Sequence, residues 1–189
     1  DVSAYGAVSE PSPGEIYDQK KRKIQLKFIP YDITTTGNYS DIRIIFNDGG
    51  GSASYVGTDC KQIPQDQPTM FFGWINENET EETIKQVVLH EFGHALGLIH
   101  EHQNPIASIP WNKEKVYEYY YNTQNPPWDK AKVDNNIFKR YDASSTNHTK
   151  YDKYSIMHYA IPISLTNSGY STPWNTELSK DDIDFIRSE

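Results

Sequence analysis

The stretch His90-Glu91-Phe92-Gly93-His94-Ala95-Leu96-Gly97-Leu98-Ile99-His100 constrains this chain more than any other. Residues four apart on a helix share a face, with their β-carbons about 6 Å apart, so His90 and His94 can direct their imidazoles at one cation. Glu91 is badly placed to ligate, but it can reach a water bound at the same point, as a general base must. His100 requires a break. Six residues beyond His94, an unbroken helix would carry it about 9 Å further along the axis and about 240° round. Gly97 supplies the break, because a glycine just past a helix end takes the left-handed conformation cheaply and turns the chain back. Three imidazoles and one open position fit a catalytic zinc ion (Zn2+), whereas a structural site closes on four protein ligands. His-Glu-x-x-His alone arises by accident in unrelated chains. Gly97 and His100 at their offsets are what point to a metal. His102 is required by no spacing rule and is expected on the surface or on the wall of a cleft.

The motif sits at the end of the clearest helical pattern, Thr80 to Gly97. Ile84, Val87, Val88, Phe92 and Ala95 recur at helical spacing, Glu81 and Glu82 suit the positive N-terminus, and Thr83-x-x-Gln86 offers a second capping box. Before it, Glu15 to Lys23 reads as a short helix. Ile24 to Phe28 reads as a half-buried strand, Ile42 to Phe46 as a more buried one and Met70 to Ile75 as a third, with turn chemistry at Asp48 to Ser52. The segment Phe71 to Ile75 could be a core strand or an edge along which an extended peptide is read through its backbone. Past the motif, Asn112 caps a helix to Asn122, and Val133 to Lys139 suggests a short helix in an otherwise irregular stretch over 123–178. Ser179 caps a last helix bearing Asp181, Asp182, Ile183 and Ile186.

Length and charge narrow the class. At 189 residues the chain suits one domain. Leu, Ile, Val and Phe make up about 21% of it, near the line below which chains stay disordered. Fourteen Tyr and four Trp tip the balance towards folding, since aromatic rings bury large areas. A net charge of −8 argues against nucleic-acid binding, because the field repels a polyanion. No apolar run approaches the roughly 18 residues a membrane span needs. The single Cys60 cannot form an internal disulfide and reads as a small loop hydrophobe rather than a reactive thiol. Three glycosylation sequons begin at Asn38, Asn78 and Asn147 and fit export. The start at Asp1, with no charged-then-apolar leader, suits a chain whose targeting segment has been removed or left out. A secreted, monomeric glycoprotein is not required by these features but is the reading they favour.

Residues 90–100 match the long zinc motif of the metzincin peptidases, and Ser155-Ile156-Met157-His158-Tyr159 follows the third histidine by 57 positions. Together the two stretches resemble the astacin family. So do Glu101 and the closing Leu178-Ser179-x-x-Asp182-Ile183-x-x-Ile186. Asp41-Ile42-Arg43-Ile44 and Tyr55-Val56-Gly57-Thr58-Asp59 look like secreted microbial members, and the resemblance runs from about residue 24 to 187. It implies an α+β, metzincin-like fold: an N-terminal twisted mixed sheet with an active-site helix, and a smaller, mostly irregular C-terminal lobe with short helices. It implies one catalytic domain over 1–189, its lobes at about 1–100 and 101–189 with the cleft between. The implied activity is zinc-dependent hydrolysis of internal bonds in polypeptide substrates. By position, His90, His94 and His100 would bind zinc and Glu91 would be the base. Met157 would floor the site, and Tyr159 would be a displaceable further ligand that swings to the oxyanion. Glu101 would contact the mature N-terminus. The chain departs from animal members in lacking their two disulfides and any clear strand before Glu15. The alternatives are a metzincin of another family without the tyrosine switch, an inactive zinc-binding module, and a carbohydrate- or surface-binding module drawing on exposed aromatics.

Overall fold

The computed structural model describes residues 39–46 and 49–188. The helix expected at 15–23, the strand at 24–28 and the sequon at Asn38 lie outside them. Three short strands form a mixed sheet: β1 (Ile44–Phe46), β2 (Ser52–Ser54) and β3 (Met70–Phe72), in the order β1-β3-β2. β3 runs parallel to β1 and antiparallel to β2. Ser52 to Ser54 has no intrinsic preference for strand and was not expected as one; the ladder with β3 makes it so.

The sheet decides one open reading and reverses one expectation. β3 is the central strand of the described sheet, paired on both sides, so Phe71 to Ile75 is not a free edge. Nor is β1 the more buried strand, since Ile45 and Phe46 are exposed while Arg43 just before it is buried. Burial of a guanidinium requires that its N–H groups be met. Arg43 Nε, Nη1 and Nη2 donate to the carbonyls of Gln67, Ser40 and Ile63, which ties the loop after β2 down beside β1.

Helix α1 (Glu81–Ala95) begins where Thr80 Oγ1 accepts the Thr83 N–H at 3.2 Å, so Thr80 is the cap and the Thr83–Gln86 box is not used. One side of α1, with Ile84, Val87, Val88, Phe92 and Ala95, packs on the sheet residues Met70 and Phe72. Its other side carries Leu89 into a second cluster with Leu98, Ile156, Met157 and Ile186. The helix is thus the middle layer, apolar on two faces.

Helix α2 (Lys113–Thr123) is capped by Asn112, as expected. The short helix α3 (Lys130–Val133) starts three residues before the expected Val133, because Asp129 caps it by accepting the Lys132 N–H, and it widens into a π turn over Asp134–Phe138. A third cluster joins Val116, Val133, Ile137 and Leu165 to a shell of aromatic rings that includes Tyr159. Helix α4 (Lys180–Ser188) has a reciprocal cap: Ser179 Oγ accepts the Asp182 N–H, and Asp182 Oδ2 accepts the Ser179 N–H. Among the described residues, no helix is long and apolar enough to cross a membrane.

Candidate active site

The last two turns of α1 present His90 and His94 on one face, and the chain reverses directly beyond them. The Leu98 N–H reaches back to the Gly93 carbonyl and the Gly97 N–H to the His94 carbonyl, the paired bonds of a Schellman close. Gly97 has φ +100°, with open space where a β-carbon would stand. Conformation, not room, is what demands glycine there. The reversal returns His100, and its Nε2 lies 3.1 Å from that of His94. One ligating atom from each of His90, His94 and His100 falls within 4.8 Å of the others.

The hydrogen bonds around these rings decide which nitrogen faces inwards. His90 Nδ1 lies 2.8 Å from the Ile156 carbonyl and His94 Nδ1 lies 2.8 Å from that of Leu98. A carbonyl oxygen only accepts, so both Nδ1 atoms carry the proton and both Nε2 atoms offer lone pairs. His100 has a side-chain hydrogen bond with Gln103, whose amide NH2 is already committed to the carbonyls of Asn135 and Lys139. Burial, before any other cause, lowers all three histidine pKa values, that of His94 to about 4, and keeps the rings neutral. Neutral imidazoles with converging lone pairs repel one another unless a cation lies between them. The donor set therefore fits zinc.

Glu91 is buried, and its Oε2 has no hydrogen-bond partner among the described residues. Burial raises its pKa to about 7. An orphaned carboxylate oxygen beside such a cluster is what a water held at the metal would satisfy. Tyr159 lies beside the histidine cluster. Its ring centroid is 4.5 Å from that of His100 and 6.3 Å from that of His90. Burial, with a smaller contribution from the Glu91 charge, raises its pKa to about 12, so the phenol keeps its proton as a hydrogen-bond donor.

Beneath these groups Met157 packs so closely on Gly93 that a β-carbon at Gly93 would overlap its Sδ. Gly93 thereby gains a reason that the zinc motif alone did not supply. The model of the Astacin peptidase family matches residues 19–179, a span that takes in the zinc motif and the Met157 segment. The chain belongs to the astacin family. It is accordingly a zinc-dependent endopeptidase with the metzincin α+β fold, and the alternatives of another metzincin family and of an inactive module fall away. Two solved structures of myroilysin resemble this astacin. One is 47% identical, with a TM-score of 0.74 over 77% of this chain and 70% of that one. The other is 46% identical, with a TM-score of 0.53 over 77% of this chain and 63% of that one. No curated protein matches the chain in sequence.

The contacts of several residues around the site could not be read in the sequence. Of the two places expected for His102, the surface is excluded by its burial: its ring stacks on those of Tyr159 and His100, with centroids 4.5 and 5.4 Å away and planes inclined by 28° and 27°. Its Nε2 lies 2.9 Å from the Asn136 carbonyl, which makes that nitrogen the donor, while the buried Nδ1 has no partner among the described residues. Glu101 Oε1 accepts from the Asp152 N–H and from Asn104 Nδ2. The contact expected of it with the N-terminus falls on residues outside the described ones. His158 Nδ1 donates to the Tyr159 carbonyl, so its Nε2 accepts from Tyr151 Oη, which in turn accepts from Tyr170 Oη. No local periodicity could have found these partners, which come from separate loops.

Proposed function

We propose that His90, His94 and His100 hold the catalytic zinc, that Glu91 is the general base, and that Tyr159 is a displaceable further ligand and the oxyanion donor. The convergence of the three ring nitrogens, two of them with their protonation fixed by backbone carbonyls, supports this reading best. Zinc bound there supplies Lewis acidity, lowering the pKa of a water in its open position and polarising the scissile carbonyl. Glu91 takes a proton from the attacking water and returns it to the departing amine nitrogen. Its buried, unpartnered oxygen favours that exchange, because a carboxylate of raised pKa both accepts and releases a proton near neutrality. The Tyr159 hydroxyl swings to donate a hydrogen bond to the developing oxyanion.

The substrate is a polypeptide bound in extended form. β1 and β2 are each paired on one side only among the described residues, so an incoming chain would add to an outer strand such as Ser52–Ser54 rather than to Phe71–Ile75. The reading also includes a single catalytic domain of two lobes, a monomer, and secretion with glycosylation. Asn78 and Asn147 are exposed, which suits the last of these.

Casein digestion by the purified enzyme, with and without a zinc chelator, tests the activity at this site. Glu91→Ala should keep stoichiometric zinc and lose turnover by about 10²- to 10⁴-fold. Near-normal turnover in that variant would remove Glu91 from the mechanism.

A further inference from the structure

A buried series of hydrogen bonds runs from His90 to the first turn of α4. His90 Nδ1 donates to the Ile156 carbonyl at 2.8 Å. The peptide unit that owns this oxygen also owns the Met157 N–H, which donates to Ser155 Oγ at 3.0 Å. Ser155 gives its one hydroxyl proton to Asp182 Oδ1 at 2.6 Å. Every link points the same way, from ring to carboxylate. In a low-dielectric interior such bonds polarise one another. His90, Ser155, Ile156, Met157 and Asp182 are all buried. The other carboxylate oxygen is held as well, by the N–H groups of Ile156 and Ser179, each at 2.8 Å.

A metal-bound imidazole commonly donates its second N–H to a carboxylate or a backbone carbonyl, which sets the tautomer, aims the ring and raises its basicity. Here a carbonyl does so directly and a carboxylate stands behind it, reached through one peptide group and one hydroxyl. We propose that Ser155 and Asp182 are positioning residues for zinc binding, acting on His90 through the Ile156–Met157 peptide. The proposal rests on His90 being a zinc ligand. Asp182 also caps α4, and a purely structural role for it would alter folding without altering the metal. The two roles are therefore separable.

Competition with a fluorescent zinc chelator measures the zinc Kd, and thermal melting of the stripped protein measures the fold. Ser155→Ala is the principal variant, because it cuts the series and leaves both amide contacts of Asp182 in place. It should weaken zinc binding about ten- to a hundredfold. The stripped protein should also melt lower, because the Met157 N–H and Asp182 Oδ1 lose their partner, so the loss of zinc affinity is read against a variant that lowers the melting temperature alone. Asp182→Asn should weaken zinc binding too. If that variant fails to fold, Ser155→Ala decides alone. Ile186→Ala loosens α4 from the Met157 cluster without touching the series, so it should lower the melting temperature and leave the zinc Kd unchanged. Parental zinc affinity in Ser155→Ala, or an equal loss in Ile186→Ala, would overturn the proposal and leave the ligand assignment standing. That assignment fails separately, if His90→Ala still holds zinc as tightly as the parent.

Discussion

Helix α1 and the segment Ser155–Tyr159 both bring residues to the zinc site, and they hold them by opposite means. Over the 15 residues of α1, backbone hydrogen bonds set the angle between His90 and His94, and packing on two sides keeps the helix in place. Ser155–Tyr159 has no regular structure to set anything. Its backbone is held by side chains from elsewhere. Asp182 accepts the Ile156 N–H, Asn175 Nδ2 donates to the Ser155 carbonyl, and Thr172 Oγ1 donates to the Tyr159 carbonyl. The difference locates fragility. In the helix, damage is confined to the residues that touch the metal or the core. In the loop it extends to buried polar groups that touch neither, because each leaves an unmet partner costing about 1–3 kcal/mol when removed.

The strongest test of the contrast is Tyr159→Phe, which removes the one loop hydroxyl proposed to act on the substrate. We expect kcat to fall by roughly ten- to a thousandfold with zinc content unchanged. Steady-state kinetics with a quenched peptide would read this, and an unchanged kcat would leave the chemistry to α1 and its metal alone.

Acid stability of the chelator-stripped protein comes next, since it draws on both regions at once. Burial lowers the folded pKa values of His90, His94, His100, His102 and His158 below 6.5, so between about pH 4 and 6.5 the unfolded chain binds more protons at these positions. Their contribution to stability is present above that window and is lost as pH falls through it. Glu91 and Glu101, both raised to about 7, act in the other direction between 4.5 and 7. Five groups oppose two, so the melting temperature should drop from pH 6.5 to pH 4.5. A rise would mean that the carboxylates dominate.

The smallest effect concerns the place where the two regions meet. Gly93→Ala puts a methyl group against Met157 Sδ and should cost about 1–3 kcal/mol in a denaturant titration. Met157→Ala in the same background should recover part of the loss, whereas no recovery would show that the two elements do not press on each other.

Much of the site was legible because its determinants are close in sequence. The spacing of His90 and His94, the break at Gly97 and the caps at Asn112 and Ser179 are each decided within a few residues. The supports were not legible. Nothing near His102 says that its ring lies beneath Tyr159. Ser155 and Asp182 are 27 residues apart and meet only because α4 packs on the Met157 cluster. Arg43 occupies a position that alternation would assign to solvent, and its burial depends on carbonyls from Gln67 and Ile63.

By itself, then, the amino-acid order determined the histidine cluster and the glutamate beside it, the helix that carries most of them and the turn that brings His100 back, because helical periodicity and glycine's freedom at positive φ act over one or two turns of chain. Tertiary structure alone decided that β3 is internal, that β1 and β2 are the outer strands among the described residues, and that a carboxylate on the last helix stands behind His90. Those outcomes depend on which segments pack together, and burial lets a polar group survive only where a distant part of the fold supplies its partner.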